Sequence, residues 1–196
     1  MDLAPFPDVA SWRHLDVRSG FEVLFYAPHG DGHLLRGHTT AVEDAVAWSV
    51  GYRVELDRDW QTRRVEATSA TAGGEQRTEL RRTEDDHWFV DGTLRPELTG
   101  CVDVDFESSA VTNALPVHRL DLRLDETQSV PAAFVRAEDL SVLRLEQKYR
   151  LLDRTETEIR FAYVSSTFDF ACTLTYDASG LVVDYPGIAT RDRSGD

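Results

Sequence analysis

The chain has 196 residues, 41% hydrophobic and 10% aromatic, enough for a packed core and against general disorder. Its 35 acidic residues outnumber 21 basic ones, and the formal charge of −14 argues against nucleic acid and anionic membrane surfaces as main partners. Two cysteines far apart, Cys101 and Cys172, do not make a disulfide framework, and no stretch approaches the ~20 apolar residues of a membrane span.

This length fits one domain, residues 1–196, able to bury roughly 70% of its unfolded surface without a disulfide or metal. The opening MDLAPFPDVASW carries acids where a signal peptide has basic residues, so a cytoplasmic protein with two free thiols is expected. Lys148 is the only lysine; the other 20 basic residues are arginine. An acid excess with almost no lysine suggests a salt-adapted (halophilic) source, because dense carboxylates hold water when salt screens their repulsion. A GC-rich genome makes the same Lys-to-Arg trade.

In chain order, APHGDGHLLRGH reads as a hairpin loop. Its His29, His33 and His38 lack helical or two-strand ligand spacing, so a solvated turn is preferred to a metal site. From Val46 to Asp57 the alternation is unbroken. Val46, Trp48, Val50, Tyr52, Val54 and Leu56 share one face, with Ala47, Ser49, Gly51, Arg53, Glu55 and Asp57 on the other. Twelve such residues span ~40 Å, so the strand must coil, with Gly51 as the bend or bulge point.

Gly73-Gly74 divides strands Gln61–Ala70 and Glu75–Thr83. Asp85-Asp86 precedes His87–Val90, and Asp91-Gly92 predicts a tight hairpin. Val102, Val104 and Phe106 mark a strand opposite Cys101, Asp103 and Asp105. Ser108–Leu115 predicts a short helix stopped by Pro116, and Ala137–Leu140 a turn. Val142–Leu151 reads as one strand, and Ile159, Phe161 and Tyr163 mark the next. Thr167–Tyr176 and Leu181–Tyr185 are joined at Asp177–Gly180, and Arg191–Asp196 is expected to fray. Short links imply antiparallel neighbours. The expectation is an all-β fold: a large curled antiparallel sheet, a spiral β-roll or half-barrel, with at most one or two short helices.

No nucleophile elbow or phosphate loop is present, so no catalytic residue is assigned, and no cofactor or metal is expected. Asp103 and Asp105, two apart on one strand face, can share a proton or bind a cation; the preferred reading is a solvated polar face. Asp57 and Asp59 with Arg58, Arg63 and Arg64 suggest cross-strand ion pairs. Trp12, Trp48, Trp60 and Trp88 are core by default, with a pocket lining as the alternative. Thr112 and Asn113 are expected to fix an irregular connection through side-chain hydrogen bonds to backbone.

Several segments carry a likeness: WRHLD, YRVELDRDWQTRRVEA, HWFVDGTLRPELTGCVDVDFESSAVTNALPVHRL, LEQKYRLLD and GLVVDYPGIATR. Their order resembles the putative glycolipid-binding family of small prokaryotic proteins, formerly a domain of unknown function, over a core of about 12–191. The most specific piece is Leu98–Leu120, with D-V-D at Asp103–Asp105 and T-N-x-L-P at Thr112–Pro116. The resemblance implies an all-β spiral roll shaped like lipid-sheltering half-barrels, a fold-level analogy that carries no site residues.

Together these point to a non-enzymatic binding protein for a lipid or glycolipid-like amphiphile held in a curled sheet. The candidate ligand-binding residues are Trp48, Tyr52, Trp60, Arg53, Arg63, Asp103, Asp105, Thr112 and Asn113. The alternatives are an enzyme of unknown chemistry with a polar site at Asp103, Asp105, Thr112 and Asn113, or a homodimeric interaction domain pairing through an open sheet edge.

Overall fold

The structure, a computed structural model, describes residues 3–192; most of the tail expected to fray, residues 193–196, lies outside them. The strands run β1 (Val9–His14), β2 (Ser19–His29), β3 (Gly32–Glu43), β4 (Val46–Leu56), β5 (Thr62–Thr71), β6 (Gly74–Arg82), β7 (Trp88–Val90) and β8 (Thr93–Leu94). Then come β9 (Asp103–Phe106), helix α1 (Ala114–Arg119), β10 (Thr127–Ser129), β11 (Ala132–Val135) and β12 (Val142–Leu145). The last five are β13 (Gln147–Arg154), β14 (Glu158–Ser165), β15 (Phe170–Asp177), β16 (Val182–Tyr185) and β17 (Ala189–Arg191).

Fourteen strands form one antiparallel sheet in the order β10-β13-β14-β15-β16-β17-β1-β2-β3-β4-β5-β6-β7-β8. Two meanders thus join where the first and last strands pair, with Trp12 opposite Arg191. The sheet is not closed, because β10 and β8 remain its edges. Both edges are only two or three residues long, which works against edge-to-edge pairing. A second sheet, β12-β11-β9, contains the parallel pair β9–β11.

Alternation builds the main sheet as expected. On β4, Trp48, Val50, Tyr52, Val54 and Leu56 are buried; Val46, at the start, is exposed. Gly51 is neither a bend nor a bulge: the register with β5 shifts at Glu55/Leu56 instead. Asp91 and Gly92 both have positive φ, 50° and 78°, and turn β7 into β8 as the dipeptide demands.

Residues 101–122 and 130–146, on either side of the edge strand β10, plug the roll. Val104, Phe106, Val111, Ala114 and Leu115 join the core built on β1 to β7. Val117 joins a second cluster under β13 to β16, so α1 bridges the two. The helical region departs from expectation. A 3-10 turn, Val111–Asn113, runs into α1, and Pro116 sits inside α1 rather than ending it. Pro116 is the third residue of the helix, where a backbone N–H has no intrahelical partner to lose. The expected strand Val142–Leu151 is two strands, β12 and β13, in different sheets, divided at Glu146.

Candidate functional site

All four residues of β9 are buried, because main sheet, small sheet and α1 enclose it. Asp103 and Asp105 share a face, but that face is not the solvated one expected: they are 1% and 7% exposed. Asp103 is held by Arg119 of α1 at 2.5 Å, and burial pushes its carboxyl up against that attraction. Asp105 accepts a hydrogen bond from the Thr112 hydroxyl at 2.7 Å, and Thr112 Oγ1 also accepts from the Phe106 N–H at 3.1 Å. Burial pushes the Asp105 carboxyl up to about 7, with Thr112 opposing the shift and Asp103 adding to it.

Asp105 faces a cavity of about 210 Å³. Its polar lining includes Asp105, Ser109, Asn113, Tyr163, Ser165 and Tyr185, and its apolar lining includes Phe134, Leu145, Phe168, Phe170 and Ile188. Tyr163, Phe170 and Tyr185 pack with centroids 6.1 to 6.2 Å apart. Phe134 and Phe168 pack at 5.0 Å, and Phe168 is 44% exposed. Asn113 is fixed from below: Tyr149 donates to its Oδ1 at 3.1 Å and Tyr176 to its carbonyl at 3.2 Å.

A residue the sequence reading passed over organises the next layer. Glu22, on β2, is fully buried. Its Oε1 accepts from the Tyr52 hydroxyl at 2.8 Å and from Ser109, and its Oε2 accepts from the Ala110 N–H at 2.8 Å. Burial pushes Glu22 up to about 7, against these hydrogen bonds and the nearby Arg18. Glu22 thereby fixes the segment that presents Ser109 to the cavity. Its signal in sequence is a lone acid within the apolar run Phe21–Tyr26.

The sequence-derived candidates therefore fall into three sets. Asp105 and Asn113 line the cavity, and Thr112 supports Asp105 from behind. Tyr52 and Trp48 stand one layer back: Tyr52 stacks on Phe106 at 5.1 Å, and the cavity-lining Arg18 lies 5.3 Å over the Trp48 ring. Asp103, paired with Arg119, is in that layer too. Trp60, Arg53 and Arg63 are elsewhere. Trp60 is stacked between His118 at 3.7 Å and His33 at 4.2 Å, with Phe6 against it. Arg53 pairs with Glu55 at 2.9 Å on the face of β4 away from the core, and Arg63 pairs with Asp57 at 2.6 Å. Burial lowers His33, and no group of three metal-ligating side chains exists among the described residues.

The family model described as putative glycolipid-binding matches residues 9–191. This chain belongs to the putative glycolipid-binding family. The cavity with its carboxyls Asp105 and Glu107, and Glu22 behind it, lie within the matched segment. A crystal structure of a DUF1089 family protein from Pseudomonas aeruginosa is similar at 26% identity and a TM-score of 0.77, covering 98% of this chain and 97% of that one. A beta-barrel-like protein of the domain of unknown function DUF1849 from Brucella abortus shares the fold at 11% identity and a TM-score of 0.54, covering 97% and 96%. No curated protein matches the chain. For this member of the putative glycolipid-binding family, no helix among the described residues is long and apolar enough to cross a membrane.

Proposed function

We propose that this protein is a non-enzymatic binding protein for a lipid-like or glycolipid-like amphiphile. The head group sits in the cavity against Asp105, Asn113, Tyr163 and Tyr185, and the tail leaves past Phe134 and Phe168. The observation that carries this reading is one cavity with an aromatic wall and a buried polar lining. That combination is the general make-up of a small-molecule site. At about 210 Å³ the cavity is at the small end for a ligand site, which suits a head group rather than a whole amphiphile. The rest of the roll is filled by the core built around Trp12, Trp48 and Trp88, so the tail is not placed inside it. Membership of the putative glycolipid-binding family supports the class of ligand. Native mass spectrometry of protein purified from its own host tests the reading. A bound mass that resolves into head and acyl tail is expected; protein carrying nothing, with no uptake of alkyl glycosides on titration, would remove it.

One observation favours a second reading, an enzyme using acid–base chemistry. Asp105 is raised to about 7 beside Asn113 in a cavity, where a carboxyl can both give and take a proton near neutrality. Turnover of any alkyl glycoside or ester that binds, abolished by Asp105→Asn, would replace the first reading with this one.

A further inference from the structure

We propose that the head group held in this cavity carries a primary ammonium beside its hydroxyl groups, and that Asp105 is the residue that selects it. This rests on the binding reading and names the ligand chemistry within it.

Three charged side chains line the cavity: Arg18, Asp105 and Glu107. The Arg18 Nε lies 3.5 Å from the Glu43 carboxylate, an ion pair without a hydrogen bond, and its Nη1 donates to the Glu107 carbonyl at 2.8 Å. Glu107 has Arg136 at 3.6 Å, and its carboxylate also accepts from the Ala137 N–H at 2.9 Å. Asp105 alone has no opposite charge within ion-pair distance among the described residues; its side-chain partner is the neutral Thr112 hydroxyl. The contrast with Asp103 is direct. Two residues earlier on the same face of β9, that carboxylate has Arg119 against it. Buried carboxylates are ordinarily paired, and one left unpaired at the wall of a cavity lacks a cation that a ligand can bring.

A second observation points the same way. Ser165 is 2% exposed and lines the cavity, and among the described residues its Oγ makes no well-formed hydrogen bond, with the Tyr163 hydroxyl beside it as its one side-chain neighbour of that kind. Beside the donors of Asn113 and Arg18, the lining thus offers acceptors: Asp105 and the hydroxyl oxygens of Ser165, Tyr163 and Tyr185. A primary ammonium supplies three donors to such a set, whereas a quaternary one supplies none. The rings of Tyr163, Phe170 and Tyr185 also favour a cation over an anion near their faces. A metal ion is the competing cation, but it needs several hard ligands, and no group of three exists among the described residues.

The test uses octyl glucoside and its 2-amino-2-deoxy counterpart, each below its micelle concentration, titrated calorimetrically into the full chain at pH 7. The amino compound is expected to bind roughly tenfold tighter, as a charge-assisted hydrogen bond at a buried carboxylate allows. Asp105→Asn should bring the two probes to within about threefold of each other. A pH series on the unmodified protein provides an independent check should that variant fold poorly. The preference should shrink between pH 7 and pH 5.5 as Asp105 takes up a proton. Of the other groups around it, burial holds Tyr149, Tyr163, Tyr176 and Tyr185 neutral and Asp103 is paired with Arg119; Glu22, one layer back and raised to the same range, is taken out of the comparison by repeating the series on Glu22→Gln. Equal affinities for the two probes, or a preference that survives Asp105→Asn or the lower pH, would overturn the inference while leaving the cavity a binding site. Failure of both probes to bind would remove the site and the inference together.

Discussion

Tyr52 on β4 reaches across β3 to donate a hydrogen bond to Glu22 on β2 at 2.8 Å. It can do so because the residue between them is Gly37. Gly37 is the register partner of Tyr52, and a Cβ there would collide with the tyrosine ring. One missing side chain on the middle strand therefore lets a polar contact form two strands wide. That contact holds Glu22 where Ser109, at the cavity, and its neighbour Ala110 can also bond to it.

The first prediction follows from this geometry. Gly37→Ala should destabilise the protein by about 1–3 kcal/mol, the usual cost of forcing extra volume into a packed site. Urea denaturation measures it. A variant as stable as the parent would mean the Tyr52 ring can move aside freely, and that its bond to Glu22 contributes little.

A second prediction concerns pH. Glu22 and Asp105 have folded-state values near 7, above the unfolded carboxylate range, so the folded protein binds more protons than the unfolded chain in between. Their contribution to stability is fully present below the unfolded value and is lost as pH rises through about 7. His14 and His118, lowered to about 4 mainly by burial, work in the opposite direction: their contribution is lost as pH falls from about 6.5 to 4. Below pH 6.5 the two effects largely offset, and from pH 6.5 to 8 the loss from the carboxyls is the larger as the unfolded histidines finish deprotonating. Stability should therefore fall from pH 6.5 to 8. Glu22→Gln resembles the protonated acid: its carbonyl can accept from Ala110 and its amide can donate to Tyr52 and Ser109. Thermal melts should show this variant near the parent at pH 5 and more stable than it at pH 8. Parallel pH profiles for the two would show that Glu22 does not titrate in this range.

How much of this was legible in the sequence depends on what surrounds each element. The face of β4 could be read because one side meets the core and the other meets water, so period two maps onto burial. The same rule misread Asp103 and Asp105, because β9 is enclosed and its polar face meets other residues. Glu22 was invisible for a related reason. On β2 the apolar residues Phe21 and Phe25 point outward and are exposed, while the acid points in, which inverts the usual pattern. The break at Glu146 left no mark either, since Leu143, Leu145, Tyr149 and Leu151 keep one phase across it. The chain changes sheets without changing its alternation.

A third prediction separates the two duties of Asn113. Its Oδ1 takes the hydroxyl of the buried Tyr149, and its side chain lines the cavity. Asn113→Ala takes that acceptor away from the Tyr149 hydroxyl and should cost about 1–3 kcal/mol of stability. Asn113→Asp keeps an acceptor for Tyr149 but loses the amide donors. If the amide meets the head group, the Asp variant should bind octyl glucoside more weakly by roughly tenfold, the value of one or two hydrogen bonds. Calorimetry on the Asp variant showing unchanged affinity would confine Asn113 to a structural role.

The last prediction addresses the tail. A cavity of about 210 Å³ filled by a head group has no room for a long chain, and the core beyond it is closed by Tyr52, Phe106 and their neighbours. A tail is left with the Phe134–Phe168 pair, where Phe168 is already 44% exposed. Methylenes that reach those rings should each contribute up to about 0.8 kcal/mol, and those beyond them almost nothing. Affinity across butyl, hexyl, octyl and decyl glucosides, followed by Trp fluorescence below the micelle concentration, should therefore rise over the first few methylenes and then level off early. A series that is flat from butyl onward would place the tail off the protein altogether and make the cavity a site for free sugars. A steady climb through decyl would require the core to open and admit the chain, and would move the tail from the Phe168 surface into the roll.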